Sequence, residues 1–178
     1  MPTCKPRLFA VLALLSLSTL GTSETQSSSG AEALAKLRTL AGEWAGPVEW
    51  SGARTDRGTM NVTYYVTGNG TAIVENLSTG GDPAMTSVYH LDGADLRMTH
   101  YCGVGNQPRL KASKIDLAHG AVDFSFVDAT NLRSPDAPHV YGVEMRFLSA
   151  DHLILTFLFE GGRKQSRERI DLKRVGAK

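Results

Sequence analysis

His100 and Cys102 lie two residues apart in the segment Met98-Thr99-His100-Tyr101-Cys102, so on an extended chain both side chains leave the same face. Imidazole and thiolate at that spacing can ligate a soft divalent metal, and the imidazole alone can act as a general base. A closed zinc site needs two further ligands, for which Glu75, Asp128 and His139 are the candidates. No motif ties any of them to the pair, so zinc is not expected. An inward histidine still needs a partner, because burying an unpaired polar group costs about 1–3 kcal/mol. A ligand, an ordered water or Glu75 would supply one. The plainer alternative is a histidine hydrogen-bonded within the fold beside a buried, inert thiol.

The turns that flank these residues set their faces. Asp92-Gly93 is a two-residue hairpin signal, since glycine accepts positive φ. Taken as the loop, it pairs Tyr89 with Leu96, Ser87 with Met98 and Met85 with His100. That face is the apolar one, so Met85, Tyr89, Met98, His100 and Cys102 point inward. Asn69-Gly70 similarly pairs Val66 with Ile73, Tyr64 with Glu75 and Val62 with Leu77, which places Glu75 inside opposite Tyr64. A one-residue bulge at Gly68 would instead turn Glu75 to the surface, and both outcomes stay open. An interior Glu75 would have to raise its pKa or find a donor, and could orient a ligand or serve as a base. His119-Gly120 pairs Leu117 with Val122 and Ile115 with Phe124 on the inner side, leaving Lys114 and Asp116 in solvent.

These hairpins recur at the rhythm of about 8–12 residues that marks a sandwich or barrel. The expected fold is all-β: one up-and-down antiparallel barrel of about eight to ten strands. A short helix over Ala31 to Leu40, with Leu34, Leu37 and Leu40 at helical spacing, precedes it. On an up-and-down path the tight turns, including Ala150-Asp151, gather at one end. The longer connections, Ser51 to Arg57, Gly80 to Pro83, Gly103 to Pro108 and Asp128 to Pro138, gather at the other. That long-loop end is the expected mouth, where Asn106, Gln107 and Arg109 face Asp128, Asn131 and His139 and could select a polar head group. Trp44, Tyr64, Met85, Tyr89, Met98, Phe124 and Phe126 are the expected apolar walls.

The bulk figures narrow the classes. The chain has 178 residues, with 19 Lys+Arg against 18 Asp+Glu, so it lacks the electrostatic footprint of a nucleic-acid partner. Lys5 and Arg7 precede an apolar run from Leu8 to Leu20, followed by Gly21 and Ser23, the layout of a secretory signal peptide over residues 1–23. Residues 24–30 read as a flexible leader and residues 31–178 as the barrel domain. The expected location is secreted or periplasmic, with no integral membrane segment after cleavage. Cys4 would leave with the signal peptide, so the mature chain would carry Cys102 alone and no internal disulfide. The motifs G-x-S-x-G, H-E-x-x-H and the P-loop are absent.

Gly42-Glu43-Trp44-Ala45-Gly46, at the entry to the first strand, resembles the G-x-W signature of calycins: lipocalins, fatty-acid-binding proteins and nitrobindin-like barrels. The resemblance implies that Trp44 closes the barrel base between Gly42 and Gly46, with a late basic residue stacked across it. Arg167, Arg169 and Arg174 are the candidates. The His100–Cys102 strand, the Gly105 to Arg109 loop and the Asp128 to Asn131 loop look like a bacterial exported lipocalin-like group. Nitrobindin-like members bind haem through a late histidine; His139 and His152 are the late ones here, neither clearly inward, so no haem is expected. The leading expectation is therefore a monomer or weak dimer that binds a small, largely apolar molecule inside the barrel. The alternatives are a small isomerase or hydrolase using His100 with Glu75 or Cys102, and a side-chain-filled barrel acting as an interaction module.

Overall fold

The computed structural model describes residue 1 and residues 29–176. The expected signal peptide, and the leader up to residue 28, lie outside the described residues. Helix α1, Gly30–Arg38, opens on a capping box: Ser29 Oγ accepts from the Glu32 N–H and the Glu32 carboxylate accepts from the Ser29 N–H. Its buried face is Ala33, Leu34 and Leu37, and Leu40 stays buried in the turn that follows.

Ten strands follow: β1 (Gly42–Gly52), β2 (Asp56–Thr67), β3 (Ala72–Ser78), β4 (Met85–Asp92), β5 (Asp95–Tyr101), β6 (Gln107–Asp116), β7 (Ala121–Thr130), β8 (His139–Ser149), β9 (His152–Gly161) and β10 (Lys164–Arg174). Each pairs antiparallel with its neighbour in sequence, and β10 closes on β1 through pairs such as Val48–Ile170 and Trp50–Glu168. The architecture is thus an all-β up-and-down barrel preceded by one short helix. Closure leaves no edge strand.

The Asn69-Gly70 hairpin has the register expected, Tyr64 opposite Glu75 and Val62 opposite Leu77. Asn69 adopts φ of 52°, which asparagine tolerates, so no residue is inserted into the ladder and Glu75 faces inward. Two other registers differ from the expectation. At the β4–β5 turn the loop is Gly93-Ala94, so Tyr89 faces Met98 and Ser87 faces His100. Gly93, with φ of 60°, takes the first loop position, not the second. The shift is two residues, so every side chain keeps its face. At His119-Gly120 a short 3-10 turn, Leu117–His119, consumes two residues of the expected strand. Ile115 therefore faces Val122, and a bulge between Ala112 and Lys114 brings Phe124 opposite Ala112.

Helix α1 packs on β4, β5 and β6. At this base the Trp44 indole N–H donates to Leu40 O at 2.7 Å, and the Arg174 guanidinium lies 4.4 Å over the Trp44 ring. Arg174 also donates to the carbonyls of Thr39 and Ala41, stitching the last strand to the helix turn. Arg167 and Arg169 pair instead with Glu144 and Asp171. Gly46 is required by closure: a Cβ there would stand 1.8 Å from Asp171 O on β10. Above this base Trp44, Tyr64, Ile73, Tyr89, Met98, Phe124, Met145, Leu155 and Phe157 form one buried cluster.

Candidate functional site

A cavity of about 560 Å³ opens at the long-loop end, within the size range of small-molecule sites. Its walls are Val48 and Trp50 from β1, Met60 from β2, Ala84 and Met85 at the start of β4, and Phe159 from β9. Cys102 and Glu168 supply its interior polar atoms, while the exposed side chains of Arg54, Asp56 and Arg57 form the rim. Trp50 and Phe159 pack with ring centroids 4.9 Å apart, and the Arg54 guanidinium lies 4.0 Å over Trp50.

Glu168 reaches this space because β10 alternates: Glu168, Ile170 and Leu172 are buried and their neighbours Arg167, Arg169 and Lys173 are exposed. Only 2% of its surface is exposed. Burial pushes its carboxyl up to about 7, against the pull of the Arg54 charge and a hydrogen bond from the Trp50 indole. Oε2 has no hydrogen-bond partner among the described residues. Glu168 is not among the residues expected at the site, although the period set by Ile170 and Leu172 points it inward. Cys102 is buried, and burial raises its thiol pKa, with Glu168 nearby adding to the shift. It is a neutral, weakly reactive thiol.

A second polar group lies deeper. Tyr64, Glu75, Ser87 and His100 are consecutive cross-strand partners on β2, β3, β4 and β5, and all are fully buried. The Tyr64 hydroxyl donates to Glu75 Oε2 at 2.6 Å and the Tyr89 hydroxyl donates to the same oxygen at 3.0 Å. Ser87 Oγ and His100 Nδ1 are 3.0 Å apart, so the partner the histidine requires is Ser87, not Glu75. The two-residue register shift at Gly93 is what brings them together. Burial raises the Glu75 pKa, while the hydroxyls of Tyr64, Ser87 and Tyr89 oppose the rise. Burial alone lowers His100 to about 4, so the imidazole is neutral, with its ring packed on Phe157 at 4.9 Å. Glu75 Oε1 and His100 Nε2 make no hydrogen bond among the described residues.

The residues considered for a shared site are therefore divided. Met85 and Cys102 line the cavity; Tyr64, Glu75, Tyr89, Met98, His100 and Phe124 are packed in the core below it. Of the residues named for the alternative enzyme reading, His100 with Glu75 or Cys102, the first two lie in the buried row and Cys102 lines the cavity. The loop residues brace the rim from outside. Asn106 Nδ2 donates to Pro138 O at 2.8 Å, the Thr130 hydroxyl donates to Gln107 Oε1 at 2.8 Å, and Asn131 donates to Gly105 O. Arg109 makes a two-pronged bond to Asp128 on the outer surface, at 2.6 and 2.7 Å. His139 is buried against Phe126, its Nδ1–H donating to Ala137 O. None of these six loop residues lines the cavity, contrary to the expectation from their loops: Arg109 and Asp128 bond each other, and the other four bond neighbouring loop groups.

His152 pairs with Asp171 at 2.7 Å, and neither it nor His139 lines the cavity. Among the described residues no three His, Cys, Asp or Glu side chains gather as a metal site, and no helix is long and apolar enough to cross a membrane.

No protein-family model matches the chain, and no match was found among curated proteins. Solved structures do share the fold. One is Rv2717c from M. tuberculosis, with a TM-score of 0.55 and 17% identity over 80% of this chain and 96% of that one. Another is a protein of unknown function from the DUF3598 family of Nostoc punctiforme, with a TM-score of 0.54 and 16% identity over 77% of this chain. This chain spans about half the length of that second protein, 48%. At such identities the likeness establishes the barrel architecture alone.

Proposed function

We propose that the chain binds one small, largely apolar molecule in the cavity at the long-loop end of its barrel. The observation that carries this reading is the contrast along the barrel axis. The base and middle are filled by close-packed side chains, whereas the open end keeps about 560 Å³ free behind a rim of charged residues. Apolar walls with few polar groups favour a ligand by burial of its surface, roughly 25 cal/mol per Å² removed from water. The expected secretory leader would set this binding in a secreted or periplasmic location.

Native mass spectrometry of the protein, purified gently as the cell makes it, tests the reading. The expected result is a stoichiometric small-molecule adduct that disappears on denaturation. Gly58→Leu should abolish it: Gly58 lines the cavity, and a Cβ there meets only Val48 Cγ1, at 3.7 Å. A bare mass that persists after incubation with fatty acids, haem and small aromatic amines would reject the proposal.

A further inference from the structure

Charge at the cavity is unbalanced in one place. At the rim Arg54 pairs with Asp56 at 3.0 Å and Arg57 pairs with Glu49 at 2.7 Å, so each exposed cation has its own carboxylate. Glu168 has no such cation in contact. Among the described residues its one donor is the Trp50 indole, and Oε2, buried on a residue that lines the cavity, has no partner. A buried acceptor without a partner is costly, and the cost is relieved when a bound molecule brings the missing donor. A ligand carboxylate would place like charges together in a poorly solvated site. A cation would be matched by Glu168, although the Trp50 ring beside it already carries the Arg54 guanidinium at 4.0 Å.

We infer that the ligand is an apolar amine whose protonated nitrogen donates to the Glu168 carboxylate; this rests on the cavity being the binding site. The apolar body would lie between Val48, Met60, Met85 and Phe159. Arg54 and Arg57, held by their own carboxylates, would leave the entrance without net attraction for anions.

Isothermal titration with 1-naphthylmethylamine, 1-naphthalenemethanol and 1-naphthoate separates the possibilities, since the three share an apolar body and differ in the head group. The amine should bind about tenfold or more tighter than the alcohol, the lower range for a charge-assisted hydrogen bond, and the carboxylate should bind weakest. Glu168→Gln, of nearly the same shape, should bring amine and alcohol to equal affinity. Amine affinity in the unmodified protein should also rise several-fold from about pH 6 to about pH 8, as the Glu168 carboxyl, pushed up to about 7, loses its proton. Of the other groups that line the cavity, Asp56 is held low by Arg54 and Arg57, and burial pushes the Cys102 thiol up, away from this range.

Equal binding of amine and alcohol, or a flat pH profile, would overturn the amine assignment while leaving the cavity as a binding site. Failure of all three probes to bind would overturn the cavity reading and this inference with it. Should Glu168→Gln fail to fold, judged by circular dichroism, the pH profile of the unmodified protein decides.

Discussion

The Tyr64 hydroxyl and Glu75 Oε2, 2.6 Å apart on neighbouring strands, form the shortest link of a polar row that crosses four strands inside an otherwise apolar barrel. Tyr64→Phe removes the donor and leaves a buried carboxyl less satisfied. It should cost about 1–3 kcal/mol in urea unfolding. Tyr89→Phe, which loses the longer 3.0 Å bond to the same oxygen, should cost less. The reverse order would mean that Tyr89 is the main donor.

Stability should carry the signature of Glu168. Its folded pKa, about 7 against 4.5 for the unperturbed group, is raised, so the native state holds its proton more tightly. The stability this contributes is complete below about pH 4.5 and is lost as the pH rises through 7. Glu168→Gln, permanently neutral, should match the unmodified protein near pH 4.5 and exceed it above pH 7 by about 3 kcal/mol. A carboxyl retained at such a cost to the empty barrel fits a binding role better than a structural one. A constant difference across the range would contradict the buried environment.

His100 should act with the opposite sign. Its folded pKa, about 4 against 6.5, is depressed, so stability is complete above about pH 6.5 and is lost as the pH falls through 4. Against a His100→Gln variant, which cannot titrate, the unmodified protein should forfeit about 3 kcal/mol over that interval. Unfolding midpoints of the two proteins, measured side by side from neutral to acid pH, would show the gap narrowing.

Arg174 joins the last strand to the base through Trp44, Thr39 and Ala41. Arg174→Lys keeps the charge but loses the planar fork, so it should recover little of the stability lost in Arg174→Ala, about 1–3 kcal/mol. Near-ultraviolet circular dichroism should report the loosened Trp44 in both variants.

Arg109 and Asp128, by contrast, are roughly half exposed, with side-chain exposures of 53% and 49%. Arg109→Ala should change stability by no more than about 1 kcal/mol and leave cavity binding untouched. A loss of ligand affinity would show that the outer loops close over the mouth.

The barrel was legible because its signals are local. Alternation sorts each strand into faces, and glycine or asparagine at turns marks where the chain reverses. Both steps tolerate error: at Gly93 the register moved by two residues, yet His100 and Met98 stayed inside because side-chain direction repeats every second residue. The resemblance at Gly42, Trp44 and Gly46 implied a base crossed by a late basic residue, and Arg174 is that residue.

Which interior residues meet a void and which meet each other is not local. His100 and Glu75 have the inward face of Cys102 and Glu168, yet the first two are enclosed by Phe157, Tyr64 and Tyr89 while the other two border free space. The open ladder position at Gly68 was settled only when β2 and β3 paired without an inserted residue. Sequence alone determined the all-β class, the faces of the strands and the end at which the barrel would open. Tertiary structure decided where the filling of side chains stops and that Glu168 stands there with an unpaired oxygen, because both depend on strands distant in the chain meeting across a closed barrel.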